Sequence, residues 1–163
     1  MTKSGKRLIT KNIKIYSITT LDQLKEWCES ASSSDFLSID TEFKWEKTYL
    51  PQLCLIQLAI PESVALIDTL SMTELEPLSL LLANSERLNL FHAAQQDLEV
   101  FELSGFEKLT NLFDCQIAAA LIGLDEQIGY GALVSKLLDI DLDKSQTRSD
   151  WTIRPLSAAQ TDY

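Results

Sequence analysis

The sequence predicts an α/β fold, a mixed sheet with helices packed against it. Three observations carry that expectation. Early segments alternate apolar and polar residues with the period of a strand. Two of them, LCLIQLAI (53–60) and VALID (64–68), are separated only by the turn residues Pro-Glu-Ser, which makes them a hairpin. The second half then alternates strand and helix patterns, the signature of a sheet flanked by helices. A chain of 163 residues, 45% of them apolar, with 5 glycines and 4 prolines, can bury one sizeable core.

The elements follow in order. Residues 1–12 (MTKSGKRLITKN) are basic, lack the apolar stretch of a signal peptide and read as a loose N-terminal segment. IKIYSI (13–18) alternates and reads as a strand. Thr20 with Gln23 is a capping box, and Leu21, Leu24, Trp27 and Cys28 line one face of the helix it opens. SSSD (32–35) ends that helix, and FLSIDTEF is a strand. After the hairpin, Ser71 with Glu74 is a second capping box, predicting a helix through about Ala83. RLNLFHA reads as a strand and QQDLEVFEL as a helix that turns Leu98, Val100 and Phe101 to the core. DCQIAAALIGL and ALVSKLLDI are helix patterns, with Asp114 as an N-cap. Ser157 with Gln160 is a third capping box, starting a helix near Ala158 that carries Tyr163. Six helical residues do not hold a helix alone, so this one reads as cut short.

Charge and cysteines narrow the class. The formal net charge of −10 argues against a simple nucleic-acid binder, which presents a basic face, and is compatible with carboxylates gathered around metal ions. Cys28, Cys54 and Cys115 are odd in number and lack metal-like spacing, so they read as reduced thiols of a cytoplasmic protein. No apolar run reaches the length of a membrane span.

The chemistry concentrates in three places. In SIDTEF, Asp40 and Glu42 project from one face of a strand about 7 Å apart along the chain, with Thr41 pointing the other way. Two carboxylates so placed repel one another unless a cation lies between them, and hard oxygen ligands suit Mg²⁺ or Mn²⁺. A solvated strand end that happens to be acidic is the plain alternative for a bare D-x-E. In FHAAQQDLEVF, Asp97 falls in the first turns of a helix just after a strand, where α/β sheets bind ligands and where negative charge is also favourable in itself. The third place is SDWTIRPLSAAQTDY at the end of the chain.

Taken together, IDTEF, FHAAQQDLEVF and SDWTIRPLSAAQTDY resemble the ribonuclease D family, 3′-5′ exoribonucleases of the DEDD superfamily (tyrosine branch) with a ribonuclease-H-like fold. YLPQLCLIQLA, ALIDTL, FDCQIAAALIG and LDKSQTRSDW agree as well, so the likeness runs from about Ile13 to Tyr163. The resemblance implies two divalent metal ions, Mg²⁺ or Mn²⁺, held by four carboxylates. Asp40 and Glu42 match the first motif, Asp97 the second, and Tyr163 the tyrosine of the third. The fourth carboxylate would be residue 167, so residues 13–163 read as an exonuclease domain truncated before its last helix, without the family's accessory helical domain and with little turnover of its own.

The implied substrate is RNA, tRNA 3′ ends above all, with DNA as the alternative. No membrane and no obligate protein partner is implied. Candidate substrate contacts are Thr41 and His92 beside the motifs, and Gln52, where the resemblance suggests contact near the substrate's end. Lys144, Arg148 and Arg154 join them from the basic stretch before the last helix, because Lys and Arg make most phosphate contacts. Lys44, Lys47 and Tyr49 are placed to line the entry. His92 reads first as a packing or hydrogen-bonding residue, and Trp151 first as core, with base stacking as its alternative. Two other readings stand beside the exonuclease: a catalytically disabled nucleic-acid-binding fragment, and an α/β interaction domain with incidental acids.

Overall fold

The computed structural model describes residues 13–45, 49–142 and 149–162. It contains a six-stranded mixed sheet with strands β1 (Lys14–Ile18), β2 (Phe36–Lys44), β3 (Gln52–Ile60), β4 (Ser63–Asp68), β5 (Leu88–Phe91) and β6 (Leu112–Asp114). Their order is β1-β4-β3-β2-β5-β6. The hairpin predicted from Pro-Glu-Ser places β3 and β4 antiparallel, β2 pairs antiparallel with β3 and parallel with β5, and β1 with β4 and β5 with β6 are parallel. The mixed sheet expected from the sequence is therefore present.

The near-continuous apolar run of β3 has a simple cause. The strand lies inside the sheet and is covered on both faces. Leu53, Ile56 and Leu58 join the larger core with helices α1 (Leu21–Ala31), α2 (Glu76–Ala83) and α3 (Gln95–Leu103), through Leu24, Trp27, Leu78, Leu82, Val100 and Phe101. Cys54 and Leu55 face the other way, against Leu66 and Trp151. Trp151, 4% exposed, is thus a core residue. Helices α4 (Cys115–Leu121) and α5 (Tyr130–Leu138) pack on each other through Ala119, Ile128 and Leu133. Among the described residues no helix is long and apolar enough to cross a membrane.

The capping box of α1 is formed. The Thr20 hydroxyl accepts from Gln23 N (3.4 Å), and Gln23 Oε1 accepts from Thr20 N (3.2 Å). Thr20→Ala is expected to cost about 1 kcal/mol, which lowers the melting temperature by roughly 2–4 °C; a calorimetric scan checks it.

The second predicted box is not formed. Helix α2 begins at Glu76, and the Ser71 hydroxyl donates instead to the carbonyls of Asp68 and Thr19. Pro77 explains this: a helix begun at Ser71 would hold it in the interior, where it lacks an N–H and clashes with the preceding turn. At the second helical position it is tolerated. The third box is formed, with Ser157 and Gln160 bonding each other's backbone at the start of α6 (Ala158–Thr161). Residues 1–12 and Tyr163 lie outside the described residues.

Candidate active site

Strand β2 alternates as its sequence requires. Leu37, Ile39 and Thr41 are buried on the side of α1–α3, while Asp40 and Glu42 project to the opposite face. Two departures from a regular sheet shape what happens there. First, β5 pairs with β2 only from Phe36 to Ser38, so β2 runs on beyond its neighbour and leaves a notch at the strand end. Second, the β2–β3 register shifts after Glu42: Glu42 faces Leu55 and Phe43 faces Leu53, so Cys54 is an extra residue in β3. Such a bulge kinks the pair and re-aims the neighbouring side chain, here Glu42.

Asp97 enters from the third position of α3 and is 8% exposed. The Thr41 hydroxyl donates to Asp97 Oδ1 at 2.5 Å. Thr41 does point away from Asp40 and Glu42, as its strand position dictates. The face it points to is the one from which α3 delivers Asp97, so Thr41 belongs to the site by way of that carboxylate. Asp97 was expected in the first turns of its helix, and it is there, but buried where Leu98 is only half-buried.

The three carboxylates share one electrostatic field. Asp40 is exposed by surface area, yet enough protein surrounds its carboxyl to desolvate it. Desolvation, then the charge of Asp97, push it up to about 6. Desolvation followed by the charges of Asp40 and Asp97 raises Glu42 to about 8. Burial raises Asp97 too, against the hydrogen bond from Thr41. Three neighbouring acids, each raised first by burial, lack a counter-charge, and an oxygen-only donor set fits a hard divalent cation better than zinc. Among the described residues, however, no group of three or more His, Cys, Asp or Glu side chains is placed to hold a metal ion.

The remaining candidates separate clearly. Gln52 is exposed at the start of β3. His92 has a hydrogen-bonding and packing position: its Nε2 lies 2.9 Å from the Ile128 carbonyl, and its ring meets Tyr130 edge-on. Lys44 forms an ion pair with Asp150 at 2.9 Å, and Tyr49 is 96% exposed.

Arg154 departs from the phosphate-binding expectation. Its Nε and Nη2 donate to the two oxygens of Asp68 (2.6 and 2.8 Å), Nη2 also to the Cys54 carbonyl, and Nη1 to the carbonyls of Trp151 and Ile153. Those five bonds use the full donor set of a guanidinium, so Arg154 fastens the segment before α6 to β3 and β4. Lys47, Lys144, Arg148 and Tyr163 lie outside the described residues.

Sequence reasoning passed over Asp68 and Asp150, because a lone acid at a strand end or in a loop carries no spacing signal. It also assigned Asp114 only the cap of α4. That cap is present, with Asp114 Oδ1 accepting from Gln116 N at 2.8 Å.

Comparison with known proteins bears directly on this site. A family model described as 3′-5′ exonuclease matches residues 15–163. Ribonuclease D of Jannaschia sp. (strain CCS1) is 44% identical over 153 residues, which is 91% of this chain and 40% of the relative. Ribonuclease D of Bartonella henselae is 40% identical over 162 residues, 99% of this chain and 40% of the relative. The crystal structure of Escherichia coli RNase D, described as an exoribonuclease involved in structured RNA processing, superposes with a TM-score of 0.89 at 39% identity, covering 93% of this chain and 40% of that one. The chain thus spans about two fifths of the length of these relatives. With a family model running from Ile15 to the last residue and the same sheet beneath it, this chain belongs to the 3′-5′ exonuclease family, and within it is ribonuclease D-like.

Proposed function

We propose that residues 13–163 form a metal-dependent 3′-5′ exoribonuclease unit that hydrolyses the 3′-terminal phosphodiester and releases 5′-nucleoside monophosphates. The observation that carries this reading is that Asp40 and Glu42 leave one strand end whose Thr41 binds Asp97, with burial first and neighbouring carboxylates second raising both acids, in a family of metal-dependent exonucleases. Asp40, Glu42 and Asp97 would hold two Mg²⁺ or Mn²⁺ ions. When bound, such ions supply an acidified water and positive charge against the scissile phosphate. Thr41 holds the Asp97 carboxylate in place. Tyr163, at the position of the family's third-motif tyrosine, would orient the attacking water through its hydroxyl, and the fourth carboxylate of the pattern falls at position 167.

RNA is the favoured substrate, because the 39%-identical Escherichia coli protein is an exoribonuclease involved in structured RNA processing; tRNA 3′ ends are the structured RNA we favour. Gln52 and the basic residues Lys144 and Arg148 remain the proposed substrate contacts, with Thr41 and His92 acting through Asp97 and its loop. The cytoplasm is the proposed location, in keeping with three free thiols.

The test is mononucleotide release from a 3′-labelled tRNA with Mn²⁺. Release is expected to vanish in Asp40→Ala and with chelator, and to exceed release from a matched single-stranded DNA. Release that survives Asp40→Ala overturns the assignment, and faster release from DNA overturns the choice of RNA. A second reading, a nucleic-acid-binding domain without turnover, has one observation in its favour: among the described residues no group of three or more His, Cys, Asp or Glu is placed to hold a metal ion. It requires RNA binding with no mononucleotide release.

A further inference from the structure

We infer that Asp114 is a positioning residue for Asp97, holding the loop that enters α3 from a neighbouring strand; this rests on the reading of Asp97 as a metal ligand. Helix α3 starts without a cap of its own. Its N-cap residue is Ala94, which has no side-chain hydrogen bond to offer, and the first-turn N–H groups of a helix need partners. The chain reaches Ala94 through Ala93, whose φ of 60° lies in the left-handed region that a β-carbon disfavours. Something must hold that conformation.

Asp114 is placed to do so. It ends β6, where it stands opposite Phe91, the last residue of β5, so the parallel pairing delivers its carboxylate beside residues 92–94. Asp114 Oδ1 accepts from Ala93 N (3.0 Å) and Oδ2 from Ala94 N (2.9 Å). Both oxygens are needed, one for each successive amide, and Oδ1 caps α4 as well.

The other side of the loop is fastened through one carbonyl. Ile128 O lies 2.9 Å from His92 Nε2 and accepts from Gln116 Nε2 at 3.1 Å. His92 and Gln116, one on each side of the Asp114 contacts, are thereby tied to the same point. Asp97 follows Ala94 by three residues, within the first turn, so the angle at which α3 starts sets where the Asp97 carboxylate meets Thr41 and the notch. The clasp reaches the site through backbone geometry, and the Asp114 charge also acts on the Asp97 carboxyl through space.

The substitution that separates this role from simple capping is Asp114→Ser. Serine is as good an N-cap as aspartate, so α4 keeps its cap, but its single short oxygen cannot serve the amides of Ala93 and Ala94. Asp114→Asn, which keeps the shape and one acceptor oxygen, is the conservative partner and the safeguard should the serine variant not fold.

Two measurements are made on wild type and both variants: Mn²⁺ affinity by titration, and amide hydrogen exchange. In Asp114→Ser, Mn²⁺ affinity is expected to fall about tenfold, the lower end of the effect of losing a residue that orients a metal ligand. Exchange is expected to accelerate over residues 93–98 while α4 is little changed, and Asp114→Asn is expected to fall between serine and wild type. Exchange that accelerates only in α4, with Mn²⁺ affinity unaltered, overturns the inference and leaves Asp114 a cap. A wild-type chain that binds no Mn²⁺ overturns the metal reading, while faster exchange over residues 93–98 would still support the clasp.

Discussion

Mn²⁺ is expected to raise the melting temperature of this chain at pH 8 and to have little effect at pH 5. The sign follows from the raised carboxyls. Asp40 titrates at about 6 and Glu42 at about 8 in the fold, each above its value in the unfolded chain. The metal-free fold therefore binds more protons than the unfolded state, and stability falls as pH rises from the ordinary carboxylate range through about 6 and then about 8. Above that window the acids are charged and mutually repelling, which is the state a cation relieves. Below it, protons occupy the same oxygens and compete the cation away.

A hundredfold excess of ligand over its Kd stabilises by about 2.7 kcal/mol, or roughly 5–10 °C for a chain of this size. Glu42→Gln provides the complementary arm. It removes one repelling charge, so the metal-free protein gains stability at pH 8. Solvent contact at the site screens part of the repulsion, leaving a gain of roughly 1–2 kcal/mol. The variant should also lose most of its response to Mn²⁺. Differential scanning calorimetry at the two pH values decides the matter. An equal Mn²⁺ shift at both, or an undiminished shift in Glu42→Gln, would show that the metal binds elsewhere.

Arg154→Ala is expected to destabilise the fold by about 3 kcal/mol, the range for removing one partner of a largely buried ion pair, which corresponds to roughly 6–12 °C. The loss leaves Asp68 without its bidentate partner and the Cys54 carbonyl without a donor. Limited proteolysis should then cut the segment from residue 149 onward first; cleavage unchanged from wild type, or a melting temperature within 2 °C of wild type, would show that the segment is held by Trp151 packing alone. Arg154→Lys should not rescue, because an ammonium cannot reproduce the planar fork.

The pH sign here is opposite to that at the notch. Burial works against the charge of Asp68, but Arg154 and the Leu70 amide outweigh it and hold its carboxyl below the usual range. Asp150, hydrogen-bonded by Thr152 and Lys44, is drawn down to about 2. These contributions are present above the ordinary carboxylate pKa and fade as pH falls through the lowered values. Acid thus relaxes the strand that carries Asp40 and Glu42 while it loosens the segment that leads to α6.

Much of this was legible in the sequence because the features were local. The alternation in FLSIDTEF placed Asp40 and Glu42 on one face, and T-x-x-Q and S-x-x-Q marked two helix starts. Where local signals competed, the reading failed. Ser71 with Glu74 satisfied the capping pattern, but Pro77 decided where α2 begins. Strand β6, three residues long, has no sequence signal of its own, since only its parallel pairing with β5 makes it a strand.

What could not be read was whatever depends on two distant segments meeting. Thr41 and Asp97 are 56 residues apart, and Arg154 and Asp68 are 86 apart. Arg154 looked like a phosphate ligand because Lys and Arg make most phosphate contacts; its engagement by a strand end and three carbonyls, one of them at the bulge, is a property of the fold alone.

The bulge at Cys54 has a consequence for how this site tolerates change. The thiol lies 3.2 Å from the Gln52 carbonyl, meets the Lys44 amide and is buried in a cluster with Leu66 and Trp151. What the neighbourhood uses is the backbone: the Cys54 carbonyl receives Arg154, and the surplus residue sets the register at Glu42. The position is therefore constrained in number and permissive in kind. A different small apolar side chain can stand there, whereas a chain one residue shorter in β3 would pair regularly and carry the same acids to a different aim. Part of the site is written in a residue count, which a tally of matching letters does not register.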